Sequence, residues 1–265
     1  MNVKRFFMIA LVVAMVAATV SYAAMAADST VVVTPTNQQD FRAFTQGGTV
    51  NFVVDTIAPS GVGALQLTTD ATMASRAQYM HETTTPLRDI TQLSYYTKQV
   101  SGSPAIADPS YRLTTLLEFG VPATLVFEPY LNPGNNGNAT IVPDVFQKYD
   151  VYNGLFYSSS TVTCSHGTII GTGSGAPLYT LAQIKTICPN ALVVEFGVKI
   201  GTSNPNYNVE TDLLNFNGTT YDFEPFNVAT SKDQCKMGGF NNVTRTDGSS
   251  FKNQGDCLQF VNTGK

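Results

Sequence analysis

The chain contains no tryptophan, and its 265 residues include only two histidines and 13% charged side chains. Proteins that follow a phosphate backbone carry runs of Lys and Arg. No such run is present and the net charge is −4, so nucleic acid is excluded as a partner. His81 and His166 stand far apart and no Cys-x-x-Cys occurs, so a zinc site would have to gather ligands from distant loops. No strand–helix–strand alternation runs through the sequence, which excludes a parallel α/β sheet. Internal repeats and long linkers are absent as well.

What is present begins at the N-terminus. Lys4 and Arg5 form a basic start, residues 6–20 are uncharged and apolar, and Ala24-Met25-Ala26 places small side chains where signal peptidase reads. Residues 1–26 are therefore expected to be a signal peptide, with a product that is secreted or held at the cell surface. An uncleaved anchor fits less well, because the apolar stretch is shorter than the ~20 residues a spanning helix needs. No later run of the sequence is apolar and long enough to span.

Cys164, Cys188, Cys235 and Cys257 make an even set, which in an exported chain reads as two disulfides. Of the pairings open to them, joining sequence neighbours closes the shortest loops and is preferred. Each such loop constrains the unfolded chain by ~3 kcal/mol in the chain-entropy picture.

Short stretches rich in Val, Thr, Tyr and Phe alternate with Gly, Pro, Asn and Ser, the pattern of strands and turns. Strands are predicted at 31–34, 49–55, 64–69, 90–99, 111–119, 124–130, 145–151, 155–158, 192–200, 209–216 and 219–224. Asn217-Gly218 between two of them is a strong hairpin signal, because both residues tolerate positive φ. Gly120 to Ala123 is expected to reverse the chain in the same way. One helix is predicted after Thr180, where Gln183 completes a capping box, Leu181, Ile184 and Ile187 share a face, and Pro189 follows.

Three segments, GVGALQLTT (61–69), LRDITQLSYYT (87–97) and NGTTYDFEPF (217–226), resemble a family of uncharacterised exported bacterial proteins. LVFEPYLN (125–132) and the closing CKMGGF…FKNQGDCLQFVNTG fit the same comparison. The resemblance implies an all-β antiparallel sandwich, a jelly roll of the laminin-G, concanavalin-like or carbohydrate-binding-module type. It implies one domain over 28–227 and a cysteine-clipped tail over 228–265, and it carries no catalytic signature. Relatives are expected to hold tryptophans where this chain has Phe146, Tyr149, Phe156, Tyr157 and Phe240, positions that call for a flat apolar body.

The candidate sites follow from these elements. Glu118, Glu128, Glu195, Asp222 and Glu224 are the strand acids from which a glycosidase pair could be drawn. The Glu-x-Asp-x-Glu type of run used by concanavalin-like glycosidases is missing. Ser174 lies in a small-residue loop without the strand-turn-helix setting of a nucleophile elbow. Cys164-Ser165-His166 places a thiol beside a base, but the cysteine is expected to be oxidised. Asp144, Asp150 and Asn153 near turns are compatible with a structural calcium ion, and no other cofactor is expected. Sequons occur at Asn138, Asn217 and Asn242.

Tyr130, Tyr149, Tyr152 and Tyr157, with Glu128, supply rings with polar tips, the combination a sugar face accepts. Tyr95 and Tyr96 are consecutive on a strand and must point to opposite faces. The leading expectation is therefore a non-catalytic protein that binds extracellular or cell-surface carbohydrate. A structural or adhesive surface protein is the alternative, and a glycoside hydrolase the second.

Overall fold

A computed structural model of the protein describes residues 28–135, 140–171 and 175–264. The expected signal peptide, the sequon at Asn138 and Ser174 lie outside the described residues.

The strands are β1 (Ser29–Val33), β2 (Phe41–Gln46), β3 (Gly48–Val54), β4 (Gly63–Thr69), β5 (Arg76–Pro86), β6 (Leu93–Gln99), β7 (Ser110–Leu116) and β8 (Pro122–Phe127). After these come β9 (Gln147–Tyr149), β10 (Leu155–Ser158), β11 (Val162–Cys164), β12 (Gly167–Ile169), β13 (Tyr179–Thr180), β14 (Leu192–Gly201), β15 (Asn208–Phe216) and β16 (Thr219–Phe223). Three α-helices, α1 (Leu181–Ile187), α2 (Lys232–Cys235) and α3 (Gln254–Thr263), and four single turns of 3-10 helix complete the described elements.

Two seven-stranded sheets pack face to face as a β-sandwich of jelly-roll type. The first runs β1-β16-β15-β4-β3, with β6 also pairing with β15 and carrying β9; the second runs β13-β10-β8-β7-β14-β5-β2. Pairing between the strands of these sheets is antiparallel except for β1, which lies parallel to β16. Strands β2 and β5 fall outside the stretches predicted from the sequence. Their outward positions carry Arg42, Arg76, Gln78 and Glu82 rather than the β-branched residues that advertise a strand.

The core is built from rings that the alternation turns inward. Phe41, Tyr79, Phe196, Tyr221 and Phe223 form one group, and Phe196 stacks on Phe216 with centroids 4.0 Å apart. Tyr95, Tyr111, Phe127, Tyr149 and Phe156 form another. Buried phenols need acceptors, and these have them: the hydroxyl of Tyr95 donates to the Pro109 carbonyl at 2.7 Å and that of Tyr111 to the Asn215 carbonyl at 2.8 Å. Tyr96, next in sequence to buried Tyr95, faces the other way and meets Lys148.

Local signals hold where the chain makes its own bonds. Asn217 and Gly218 adopt φ of 51° and 91° and turn β15 into β16. The β7–β8 reversal passes through Phe119 and Gly120, also at positive φ. Thr180 accepts from the Gln183 amide and Gln183 returns the bond, the full capping box of α1.

Cys164 pairs with Cys188 and Cys235 with Cys257, the sequence-neighbour pairing. The first sits in the main core. The second belongs to a separate cluster in the tail, with Ala229, Val243, Phe251 and Phe260. The tail gains two helices that its weak apolar periodicity does not announce. The cap of α3 is nevertheless written in the sequence: the Asn253 side chain accepts from the Asp256 amide at 3.0 Å, and Gly264 closes the far end in the left-handed region. No helix among the described residues is long and apolar enough to cross a membrane.

Candidate functional site

The predicted ligand-contacting residues gather, in part, where β8 ends. Glu128 leaves the strand, and Pro129–Leu131 form one turn of 3-10 helix. Asn132 fixes this corner: its side-chain amide donates to the carbonyls of Glu128 and Leu155 at 3.0 and 3.1 Å, and its oxygen accepts from the Leu155 amide at 2.7 Å. The turn holds Tyr130 outward, 40% exposed, at the mouth of a cavity of about 170 Å³ lined also by Ile106, Pro129, Asn132 and Tyr149.

The other rings are differently placed. Tyr149 is 2% exposed and belongs to the core, with its hydroxyl donating to Asp108 at 3.1 Å. Tyr157 is buried in a small cluster with Val126 and Ala176. Both rings are therefore buried rather than open platforms. Alternation along β9 and β10 assigns them a face but cannot say which faces are covered. Tyr152 lies elsewhere, half-buried, with the Lys185 ammonium 5.0 Å from its ring.

Tyr157 still reaches the site through its tip, since its hydroxyl donates to Glu128 at 3.2 Å. Burial pushes the Glu128 carboxyl up to about 7, against the pull of nearby Arg112 and Lys199. Those two cations were missed by sequence reasoning. Each occupies an outward position of its strand, Arg112 in SYRLTTL and Lys199 in LVVEFGVKIG. Register alone puts them on the face that carries Glu128 and Tyr157, because Arg112 pairs with Val126, which pairs with Tyr157.

The acids considered for hydrolysis do not assemble into a pair spanning a cleft. Glu118 anchors loops, accepting from the amides of Ser165 and Asn190, and these bonds hold its carboxyl below the usual range. Glu195 lies on the outer face opposite Thr114 and Glu82. Asp222 on β16 and Glu224 just past its end share one face, as their spacing predicts, but lie within hydrogen-bonding reach of each other. No sugar fits between them, whereas glycosidase carboxyls stand roughly 5 to 10 Å apart. Ser60 donates to Asp222 at 2.9 Å, and the Val62 amide donates to Glu224 at 3.0 Å.

This pair borders a cavity of about 390 Å³ between the sandwich and the tail, lined also by Gly61, Phe226, Thr230 and Gln234. Gly61 has φ of +58°, and a Cβ there would overlap the Glu224 carboxylate at 1.4 Å. Gly61→Ala is expected to destabilise the protein by about 2 kcal/mol, measurable in urea, by combining backbone strain with displacement of Glu224.

Cys164 is oxidised and His166 contacts the Thr186 carbonyl, so no thiol–base pair forms. Asp144 and Asp150 are occupied by Ser101 and Asn153 respectively. Among the described residues no three His, Cys, Asp or Glu side chains converge as a metal site.

No family model matches the sequence, and no curated protein matches it. Among solved structures, the chain is similar to a family 11 carbohydrate-binding module from Clostridium thermocellum in complex with a β-1,3-1,4-mixed-linked tetrasaccharide. The two are 10% identical over 70% of this chain and 91% of that one, with a TM-score of 0.38. A xylan-binding domain from Paenibacillus barcinonensis is 16% identical over 68% and 84%, with a TM-score of 0.33. A β-1,2-glucanase from Parabacteroides distasonis is 12% identical over 67% of this chain and 23% of that one, with a TM-score of 0.35.

Proposed function

We propose that the protein is a secreted, non-catalytic β-sandwich that binds extracellular or cell-surface carbohydrate at the outer face of the second sheet, beside the corner at Glu128. The observation that carries this reading is the exposed Tyr130 ring, held outward by a stapled turn that follows Glu128, whose carboxyl in turn interacts with Arg112 and Lys199. Sugars are bound by that combination, an apolar ring against the C–H face and charged or hydroxyl groups for the ring oxygens. Of the predicted ligand residues, Tyr130 would supply the ring, and Glu128 and the Tyr157 hydroxyl the polar contacts. Tyr149 would support the cavity from behind. The two disulfides fit an oxidising compartment.

A glycan array probed with the mature chain tests the proposal. Tyr130→Ala is expected to weaken the best glycan about tenfold, the loss of an aromatic contact worth roughly 1.4 kcal/mol. Failure to bind any glycan would sink the reading and leave the adhesive alternative in its place.

A further inference from the structure

The outer face of the second sheet carries a diagonal of positive charge that Glu128 offsets only in part. Lys199 on β14 stands opposite Gln78 on β5 and Ser110 on β7. Arg76 lies two residues before Gln78 and Arg112 two residues after Ser110, so both point to the same face as Lys199 and flank it. Directly opposite the two arginines on β14 are Gly201 and Gly197. Neither glycine raises a side chain beside Lys199, so on that stretch of the middle strand the ammonium is the one outward group between the two arginines, and this strip is the trough.

Like charges at diagonal positions on a sheet repel, and proteins ordinarily interleave acids to relieve it. Here, among the described residues, none of Arg76, Lys199 and Arg112 forms a salt bridge, although the chain as a whole is acidic. Arg112 spends only its Nε on the Ser110 hydroxyl, at 3.2 Å. Burial, with Arg112 and Arg76 after it, brings the Lys199 ammonium down to about 8, and Glu128 offsets this only in part. The acids Glu82 and Glu195 sit further along the same face, where Glu82 is engaged by Arg42 at 2.7 Å. The face is thus polarised, and of Glu82, Glu195 and Glu128 only Glu128 lies beside its positive end.

We infer that the Arg76–Lys199–Arg112 trough binds the acidic group of a charged saccharide, a uronate carboxylate or a sulfate ester, so that the ligand is an anionic rather than a neutral glycan. The inference rests on the carbohydrate reading above and specifies its substrate class. An anion placed over the middle strand meets a planar guanidinium on either side and an ammonium between them, and planar two-point recognition of oxyanions is what arginine does best.

The test is affinity electrophoresis of the mature chain in gels holding polygalacturonate, its methyl ester, dextran sulfate or plain dextran. The expected result is retention by at least one acidic polymer, about tenfold weaker for its uncharged counterpart and weakened by added salt. Polygalacturonate against its ester reports on carboxylate, and dextran sulfate against dextran on sulfate. Lys199→Met and Arg112→Gln should each reduce retention about tenfold with melting temperatures kept near wild type, while Glu195→Gln should not reduce it. Equal retention by charged and uncharged partners overturns the inference and leaves carbohydrate binding standing. Absence of retention by either acidic polymer, or retention unchanged in both folded cation variants, overturns it too, and the glycan array then decides the carbohydrate reading separately.

Discussion

The melting temperature is expected to fall by about 6 to 12 °C as the pH is raised from about 5 to about 9, with maximal stability in mildly acid solution. The cause is a set of carboxyls that the fold keeps from water. Burial raises Asp108 to about 7, although Thr97 and Tyr149 donate to it. Burial, reinforced by the charge of Asp222, raises Asp212 to about 8. Asp222 and Glu224 are raised for the same reason of burial.

A carboxyl whose folded pKa exceeds its unfolded value of about 4 binds its proton more tightly in the folded state. Its contribution is complete below that unfolded value and is lost as the pH rises through 7 to 8, where the buried acid must ionise. Holding a proton tenfold more tightly is worth about 1.4 kcal/mol. Even that much at each of Asp108 and Asp212 gives about 3 kcal/mol, the origin of the temperature range above. At the acid end the sign reverses. Glu118, lowered by its bonds from Ser165, and Asp256, lowered by the Lys252 amide, contribute above about pH 4 and lose that contribution as the pH falls further.

Asp212→Asn is the decisive variant. The new amide oxygen can still accept from the Phe223 amide, as Asp212 does at 2.9 Å, and the other carboxyl oxygen finds no donor among the described residues. The variant should match the wild type near pH 5 and exceed it near pH 9, flattening the profile. Melting curves across that range that stay parallel would refute the assignment.

Replacing Cys235 and Cys257 together by Ser is expected to open the tail while the sandwich stays folded. The bond closes a loop with a separation of 22 residues, for which the chain-entropy picture gives about 3 kcal/mol. The cluster it staples is small: Ala229, Val243, Phe251 and Phe260 around the two sulfurs, with two short helices. Cores of that size do not fold without a covalent or metal staple. Limited trypsin digestion should therefore cut at Lys236, Arg245 and Lys252 at least about tenfold faster than in the wild type, with the far-ultraviolet signal of the sheets retained. Loss of both together would mean that the tail and the sandwich form one cooperative unit. Cys164–Cys188 differs because it lies within the main core, among Ile169, Ile184 and Val162.

What the sequence revealed were the features a few neighbouring residues decide for themselves. The Thr180 capping box, the Asn217-Gly218 turn and the pairing of neighbouring cysteines each depend on short-range geometry. The long strand β5 escaped because Arg76, Gln78 and Glu82 look like loop residues until a partner strand exposes one of its faces and covers the other. Two adjacent residues, Tyr79 and Met80, are both buried, which also breaks the alternation.

The candidate site was half legible for the same reason. Glu128 and Tyr130 follow a recognisable strand, and their surroundings are largely local. Tyr149 and Tyr157 become core residues only through neighbours distant in sequence, Asp108 and Val126 among them. The trough is the extreme case. Arg76, Arg112 and Lys199 are scattered along the chain, and only the register of three strands makes them a site.

The parallel pairing of β1 with β16 has a further consequence, for the order of synthesis. Ser29 and Thr219 are bonded although 190 positions separate them. A ribosome must release almost the whole sandwich before its first strand has an edge to join. Until then β1 presents unpaired amides and carbonyls, which are open to capture by other chains. The edge that β1 supplies to the first sheet is therefore among the last pairings the chain can make.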